Sequence, residues 1–197
     1  MKQKIFIILL FLLFFFLIVV FGGAYSIHKK KSIYSTAPEP SSARNVSSVS
    51  LPVTILIPKI SVSTHIEKVG VDSKGRIDVP KIVINVAWYS LGVKPGEAGS
   101  AVIDGHFDKP DGSPSVFYKL HSLTPGDKII ISDETGKSYP FFVTEVKTYD
   151  ISSIPMGKIL EKTSEKRLNL ITCAGVWDKM GKGYSQRIVV FSRLSGS

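Results

Sequence analysis

The amino-acid sequence predicts an all-β domain of seven or eight short strands, a sandwich or a closed barrel, preceded by a single membrane-spanning helix. Three observations predict it. Residues 5–24 run without a charge; from Leu51 onward, short runs rich in Val, Ile, Phe and Tyr alternate with Gly, Pro, Asp and Ser; and only two short stretches look helical.

The first element is the uncharged run, Ile5 to Ala24. At about 1.5 Å per residue it spans a hydrocarbon core of roughly 30 Å, and it exceeds the apolar core of about 7–15 residues found in a cleaved signal peptide. Residues 1–25 are therefore expected to be a membrane anchor with a cytoplasmic tip. Lys2 and Lys4 on one side nearly balance Lys29, Lys30 and Lys31 on the other. Charge does not set the orientation, and N-inside, C-outside is the expectation for a domain carried on one short anchor.

Residues 26–50 hold eight serines, two prolines and few large apolar side chains. Such a segment cannot bury enough surface to offset its ordering entropy, so it reads as a flexible stalk. The formal net charge of +9 is concentrated here: residues 1–50 carry six Lys or Arg against Glu39 alone. That placement suits anionic lipid headgroups, and the chain has no basic stripe with interleaved aromatics of the kind that binds nucleic acid.

Residues 51–197 are long enough for one domain with its own core. The strand runs are Val53–Ile57, His65–Val69, Ser100–Asp104, Lys128–Ser132, Tyr139–Tyr149, Leu168–Thr172 and Arg187–Leu194. Turn signals separate them, among them Pro95-Gly96, Asp111-Gly112, Pro125-Gly126 and Thr135-Gly136. The last run has apolar residues on both parities, Ile188 and Val190 against Val189 and Phe191, so a central strand covered on both faces is expected. Ser153–Ser164 and Ser115–Leu120 are the weakly helical stretches.

Chemistry centres on the single cysteine, Cys173, at the end of an apolar run. Without an intramolecular disulfide partner, it is either an inert buried thiol or a chemically used one. Of the four histidines, His28 lies in the basic flank, His65 begins a strand and His121 follows an amphipathic stretch. His106 ends Ala101-Val102-Ile103-Asp104-Gly105-His106, where a buried strand gives way to a loop through glycine. A rigid element there presents a side chain to a cleft. Paired with a thiol, such an imidazole would raise the thiolate fraction and later protonate a leaving amine. Arg187 stands fourteen residues after Cys173. If the two strands are antiparallel neighbours it either donates to a developing oxyanion or makes an edge salt bridge.

With these residues in place, the chain resembles the sortases, membrane-anchored cysteine transpeptidases of Gram-positive cell surfaces. The likeness rests on Asn169-Leu170-Ile171-Thr172-Cys173 and on Ser185-Gln186-Arg187-Ile188-Val189-Val190. The flanking segments look like the class F branch: Leu56-Ile57-Pro58-Lys59-Ile60, Ala87-Trp88-Tyr89 with Gly92, Pro95-Gly96-Glu97-Ala98-Gly99-Ser100, Gly105-His106-Phe107-Asp108, and Leu123-Thr124-Pro125-Gly126-Asp127. Two positions depart from that pattern. Asn169 stands where the signature usually has Thr, and many class F sequences place the arginine slightly earlier than Arg187.

The resemblance implies a closed eight-stranded sortase-type β-barrel with one or two short helices. It implies that Cys173 attacks the Thr-Gly amide of a Leu-Pro-x-Thr-Gly-like sorting signal, that His106 is the general acid and base, and that Arg187 holds the substrate carbonyl or oxyanion. The partners implied are surface proteins with a C-terminal sorting signal, and a cell-wall precursor or pilin amine as acceptor. Around this trio Thr172, Asn169, Trp177, Tyr184 and Asp108 are candidates to line the substrate groove. Thr172 has the opposite parity to Cys173, so packing or a hydrogen bond is expected of it rather than chemistry. Residues Ala174 to Gln186 are expected to be the loop between the last two strands. Neither a cofactor nor a metal is expected, since there is one Cys and no pair of His at ligand spacing. A hydrolase on the same scaffold and an idle assembly module are the competing functions.

Overall fold

The computed structural model describes residues 49–180 and 183–196. The expected anchor and nearly all of the expected stalk lie outside the described residues. Among the described residues no helix is long and apolar enough to cross a membrane.

Eight strands close into a barrel: β1 (Pro52–Ile57), β2 (Val62–Val69), β3 (Val86–Tyr89), β4 (Gly99–Gly105), β5 (Lys128–Asp133), β6 (Ser138–Asp150), β7 (Lys166–Asp178) and β8 (Gly183–Leu194). Round the barrel the order is β1-β2-β3-β4-β7-β8-β6-β5. The pairs β2/β3 and β4/β7 are parallel and the others antiparallel. The sequence runs therefore mark seven of the strands, and the fold is the closed barrel rather than the sandwich.

Alternation along the strands explains the core. Inward residues such as Ile55, Trp88, Ala101, Ile103, Ile131, Phe141, Leu168, Leu170, Ile188 and Val190 form one buried cluster in the barrel interior. The opposite parity of β4, β7 and β8 is buried as well. Val102, Val189 and Phe191 join Ile159 in a second cluster, with Ile171 and Tyr149 packed against it. Strand β8 lies between β7 and β6, the central position its two apolar faces predict.

Helix is sparser than expected. Ser153–Ser164 contains one turn of α-helix, α1 (Met156–Ile159), preceded by a 3₁₀ turn at Ile151–Ser153. Ser115–Leu120 forms turns, with a 3₁₀ helix only at Leu120–Ser122. The short helix α1 docks on the outer sheet face through Ile159, whose carbonyl accepts a hydrogen bond of 2.7 Å from Asn169 Nδ2.

The largest correction concerns residues 174–186, expected as a loop. Strand β7 continues to Asp178 and β8 begins at Gly183, so the segment is a long two-stranded extension. Between Ala174 and Trp177 the register slips by one residue at a β-bulge. Gly175 supplies it, with φ of 80°, where a Cβ would lie 2.5 Å from Ser185 Oγ. Val176 N donates to that same hydroxyl at 3.0 Å.

Candidate active site

Strand register assembles the site. Cys173 on β7 and Arg187 on β8 are direct cross-strand partners, and Arg187 is in turn level with Tyr149 on β6. On the other side of β7, parallel pairing with β4 runs from Gly99/Lys166 to Asp104/Ile171. Thr172 Oγ1 then donates 2.7 Å to the Gly105 carbonyl, carrying the register one residue past that pairing. The next residues on the two strands are His106 and Cys173. Thus β4, β7 and β8 bring His106, Cys173 and Arg187 into one row, and Cys173 has the parity of Ile171, which faces outward.

His106 leaves the strand through Gly105, a position where only glycine fits. A Cβ there would lie 2.5 Å from the Phe117 ring. Phe117 is fully buried, and its N–H donates to the His106 carbonyl at 3.0 Å. The imidazole Nε2 stands 3.0 Å from the Pro80 carbonyl, which can only accept, so Nε2 donates there and Nδ1 is the ring nitrogen not committed to Pro80. Pro80 lies in the crossover from β2 to β3. Glu67 holds that crossover, accepting from Lys81 N at 2.9 Å, Ile82 N at 3.0 Å and Asn85 Nδ2 at 3.0 Å. Burial works against the ionised Glu67, yet these donors hold its carboxyl below the usual range. Among the described residues no hydrogen bond joins His106 to Cys173.

Cys173 is half-buried. Burial pushes its thiol up, the Arg187 guanidinium opposes that, and the carboxylates of Asp104 and Asp108 add to the rise. Burial thus favours the neutral thiol and the guanidinium favours the thiolate, the form that attacks. Arg187 Nη1 donates to the carbonyls of Tyr184 at 3.0 Å and Gln186 at 2.8 Å. Its Nε and Nη2 make no hydrogen bond among the described residues, which leaves two donors for an oxygen in front of Cys173.

Asp104 is placed two residues below the row, level with Ile171 on β7 and Ala87 on β3. Burial pushes its carboxyl up to about 7, with Arg187 pulling the other way. Sequence alone shows its parity with His106 but not that β3 and β7 flank it and leave its side chain half-buried.

The five groove candidates separate by burial. Thr172 is fully buried and spends its hydroxyl on Gly105, while Asn169 is 1% exposed and lies beneath α1. Neither side chain is exposed at the surface. Trp177, half exposed, and Tyr184 stand on the β7–β8 extension, and Tyr184 donates its hydroxyl to Asp108 Oδ2. That bond and the charge of Asp108 push the phenol up to about 12. Phe107 and Tyr118, which sequence reasoning did not single out as site residues, complete an aromatic wall: Phe107 lies 4.8 Å from Tyr118 and 5.6 Å from Tyr184, and Trp177 5.2 Å from Tyr184. Among the described residues no three His, Cys, Asp or Glu side chains are grouped to hold a metal.

The model of the sortase domain matches residues 55–195. The chain belongs to the sortase family. Its barrel is similar to solved sortases of several classes. A Clostridium perfringens sortase D5 transpeptidase matches with a TM-score of 0.55 and 24% identity, over 74% of this chain and 79% of that one. Sortase C-1 from Actinomyces oris matches with 0.56 and 22% identity, over 74% and 72%, and sortase A of Listeria monocytogenes with 0.56 and 21%, over 75% and 88%. At such identities the likeness is one of fold. No curated protein matches this sortase.

Proposed function

We propose that this sortase is a cysteine transpeptidase that cleaves the Thr-Gly bond of a Leu-Pro-x-Thr-Gly-like sorting signal and joins the threonyl acyl group to an amine. The reading is carried by the direct pairing of Cys173 with Arg187, with His106 one residue past the end of the neighbouring strand β4 and Thr172 bonded to Gly105. His106 takes the thiol proton through Nδ1, the ring nitrogen not committed to Pro80, as Sγ attacks the Thr carbonyl carbon. The two guanidinium nitrogens not bound to backbone face the oxyanion that forms. The C–N bond breaks, the proton passes to the departing glycine amine, and a thioester remains on Cys173. An incoming amine then attacks the thioester carbonyl, the C–S bond breaks, and the thiol regains a proton.

The acceptor in this reading is a cell-wall precursor or a pilin amine, and the donors are surface proteins with a C-terminal sorting signal. The uncharged run Ile5–Ala24 supports a single-pass anchor with the catalytic domain outside the cell. Among sortase classes we favour class F, on Gly105-His106-Phe107-Asp108 and the proline-glycine segments around Pro95 and Pro125.

The test is incubation with a sorting-signal peptide amide, followed by mass spectrometry for acyl-Cys173. An acyl adduct that an added amine converts to an amide product supports the proposal. Turnover that persists in Cys173→Ala refutes it, and release of free acid alone in the presence of amine makes the protein a hydrolase.

A further inference from the structure

Tyr184 touches both flanks of the row, one through its side chain and the other through its backbone. Its hydroxyl donates to Asp108, two residues after His106, and its backbone carbonyl accepts from Arg187 Nη1 at 3.0 Å. The Asp108 end is itself fixed. Lys109 N donates to Ser113 O at 2.8 Å, Ser115 N to Phe107 O at 3.0 Å and Phe117 N to His106 O at 3.0 Å, so the segment carrying His106 is a closed hairpin. Phe107 adds an edge contact to the Tyr184 ring at 5.6 Å.

The arrangement also keeps opposite charges apart. Asp108 and Arg187 both lie close enough to Cys173 to shift its thiol, yet Arg187 makes no salt bridge among the described residues. A carboxylate free to swing would pair with the guanidinium and take up the donors meant for an oxyanion. Tyr184 occupies each partner with a different group, the carboxylate with a phenol and the guanidinium with a carbonyl.

We propose that Tyr184 and Asp108 form a clamp across the cleft that holds His106 and Arg187 on either side of Cys173. Both are positioning residues rather than substrate ligands. The activity arm of the test rests on the transpeptidase reading; a second arm does not.

In steady-state transpeptidation of a Leu-Pro-x-Thr-Gly peptide with an added amine, Tyr184→Phe is expected to lower kcat by about tenfold with little change in KM. Asp108→Asn, which still accepts the phenol proton, is expected to keep most of kcat. Asp108→Ala should match Tyr184→Phe, and the double variant should be no worse than either single one. Full kcat in Tyr184→Phe overturns the clamp. So does equal damage from Asp108→Asn and Asp108→Ala, which makes the charge the active feature, or a loss confined to KM, which makes Tyr184 a substrate contact.

The second arm follows the side-chain nitrogen resonances of Arg187 and His106 in the free protein. Tyr184→Phe, or Asp108→Ala should the first variant fold poorly, is expected to broaden or shift both sets. Unchanged resonances refute the clamp even in an active enzyme. A wild-type protein that never acylates Cys173 refutes the transpeptidase reading instead, and the resonances still decide the clamp.

Discussion

Thr172 and Gly105 are joined inside the barrel by a hydrogen bond of 2.7 Å from the threonine hydroxyl to the glycine carbonyl, one residue before Cys173 on β7 and one before His106 on β4. The bond fixes the axial offset of the two strands at the level where their side chains must meet a substrate. A slip of one residue would turn either Cys173 or His106 to the wrong face.

Thr172→Val keeps the volume and the branched shape but removes the donor. It is expected to cost about 1 kcal/mol of stability, measurable by urea unfolding followed through the emission of the buried Trp88. Acylation of Cys173 is expected to fall in kcat, whereas Thr172→Ser, which restores the hydroxyl, recovers it. Equal acylation rates in Thr172→Val and wild type would remove any role for the bond in catalysis.

Gly105 is under a second constraint. An added Cβ would lie 2.5 Å from Phe117 Cδ2, and Phe117 is fully buried among core residues that cannot shift cheaply. Gly105→Ala is expected to destabilise the barrel by about 1–3 kcal/mol and to lower acylation through displacement of His106. The paired variant Gly105→Ala with Phe117→Leu relieves the contact, and partial recovery of rate in it checks the assignment.

Most of the barrel was legible because its strands carry their own signals. Alternation and turn residues mark seven runs, and the two apolar faces of β8 predict its central place. Strand β3 is four residues long, Val86-Ala87-Trp88-Tyr89, too short to show a period, and it owes its order to β2 and β4 on either side. The 174–186 extension was misread for a different reason. Gly175, Asp178 and Gly183 are turn residues in composition, and only the bulge at Gly175 reveals how a strand absorbs them. At the site, residue types and strand boundaries single out His106, Cys173 and Arg187. The groups that hold them, Pro80, Glu67 and Tyr184, are read only from cross-chain geometry, since 26 residues separate Pro80 from His106.

The charges around Cys173 predict opposite responses to two substitutions. Alkylation follows the thiolate, so its pH midpoint reports the thiol's affinity for its proton. Arg187 favours the thiolate, and Arg187→Gln is therefore expected to move the midpoint to higher pH. Ionised Asp104 disfavours it, and Asp104→Asn is expected to move the midpoint lower. Asp104 is itself pushed up to about 7, so its charge is present mainly above that pH, and the Asp104→Asn difference should fade as pH falls below it. Iodoacetamide rates measured from about pH 6 to 10 test both signs. An unchanged midpoint in both variants would mean that burial alone governs the thiol.

Direct pairing of Arg187 with Cys173 makes the arginine's geometry as important as its charge. Nη1 is spent on two carbonyls, which ties down the guanidinium, and its other two nitrogens make no hydrogen bond among the described residues. Lysine gathers its three N–H groups on one nitrogen and lacks the planar fork that separates the backbone-bound Nη1 from Nε and Nη2. Arg187→Ala is expected to raise the acylation barrier by roughly 3–4 kcal/mol, as loss of an oxyanion donor does, and Arg187→Lys to recover only a small part. Cys173→Ala and His106→Ala are expected to abolish acylation nearly completely. Single-turnover rates with a sorting-signal peptide measure the series. In the proposed reaction Cys173 is first acylated and then released, so the Arg187 variants should slow both half-reactions, each passing through an oxyanion at the same place. An Arg187→Ala enzyme impaired only in peptide binding, with its chemical step intact, would move the guanidinium's role from the transition state to the bound substrate.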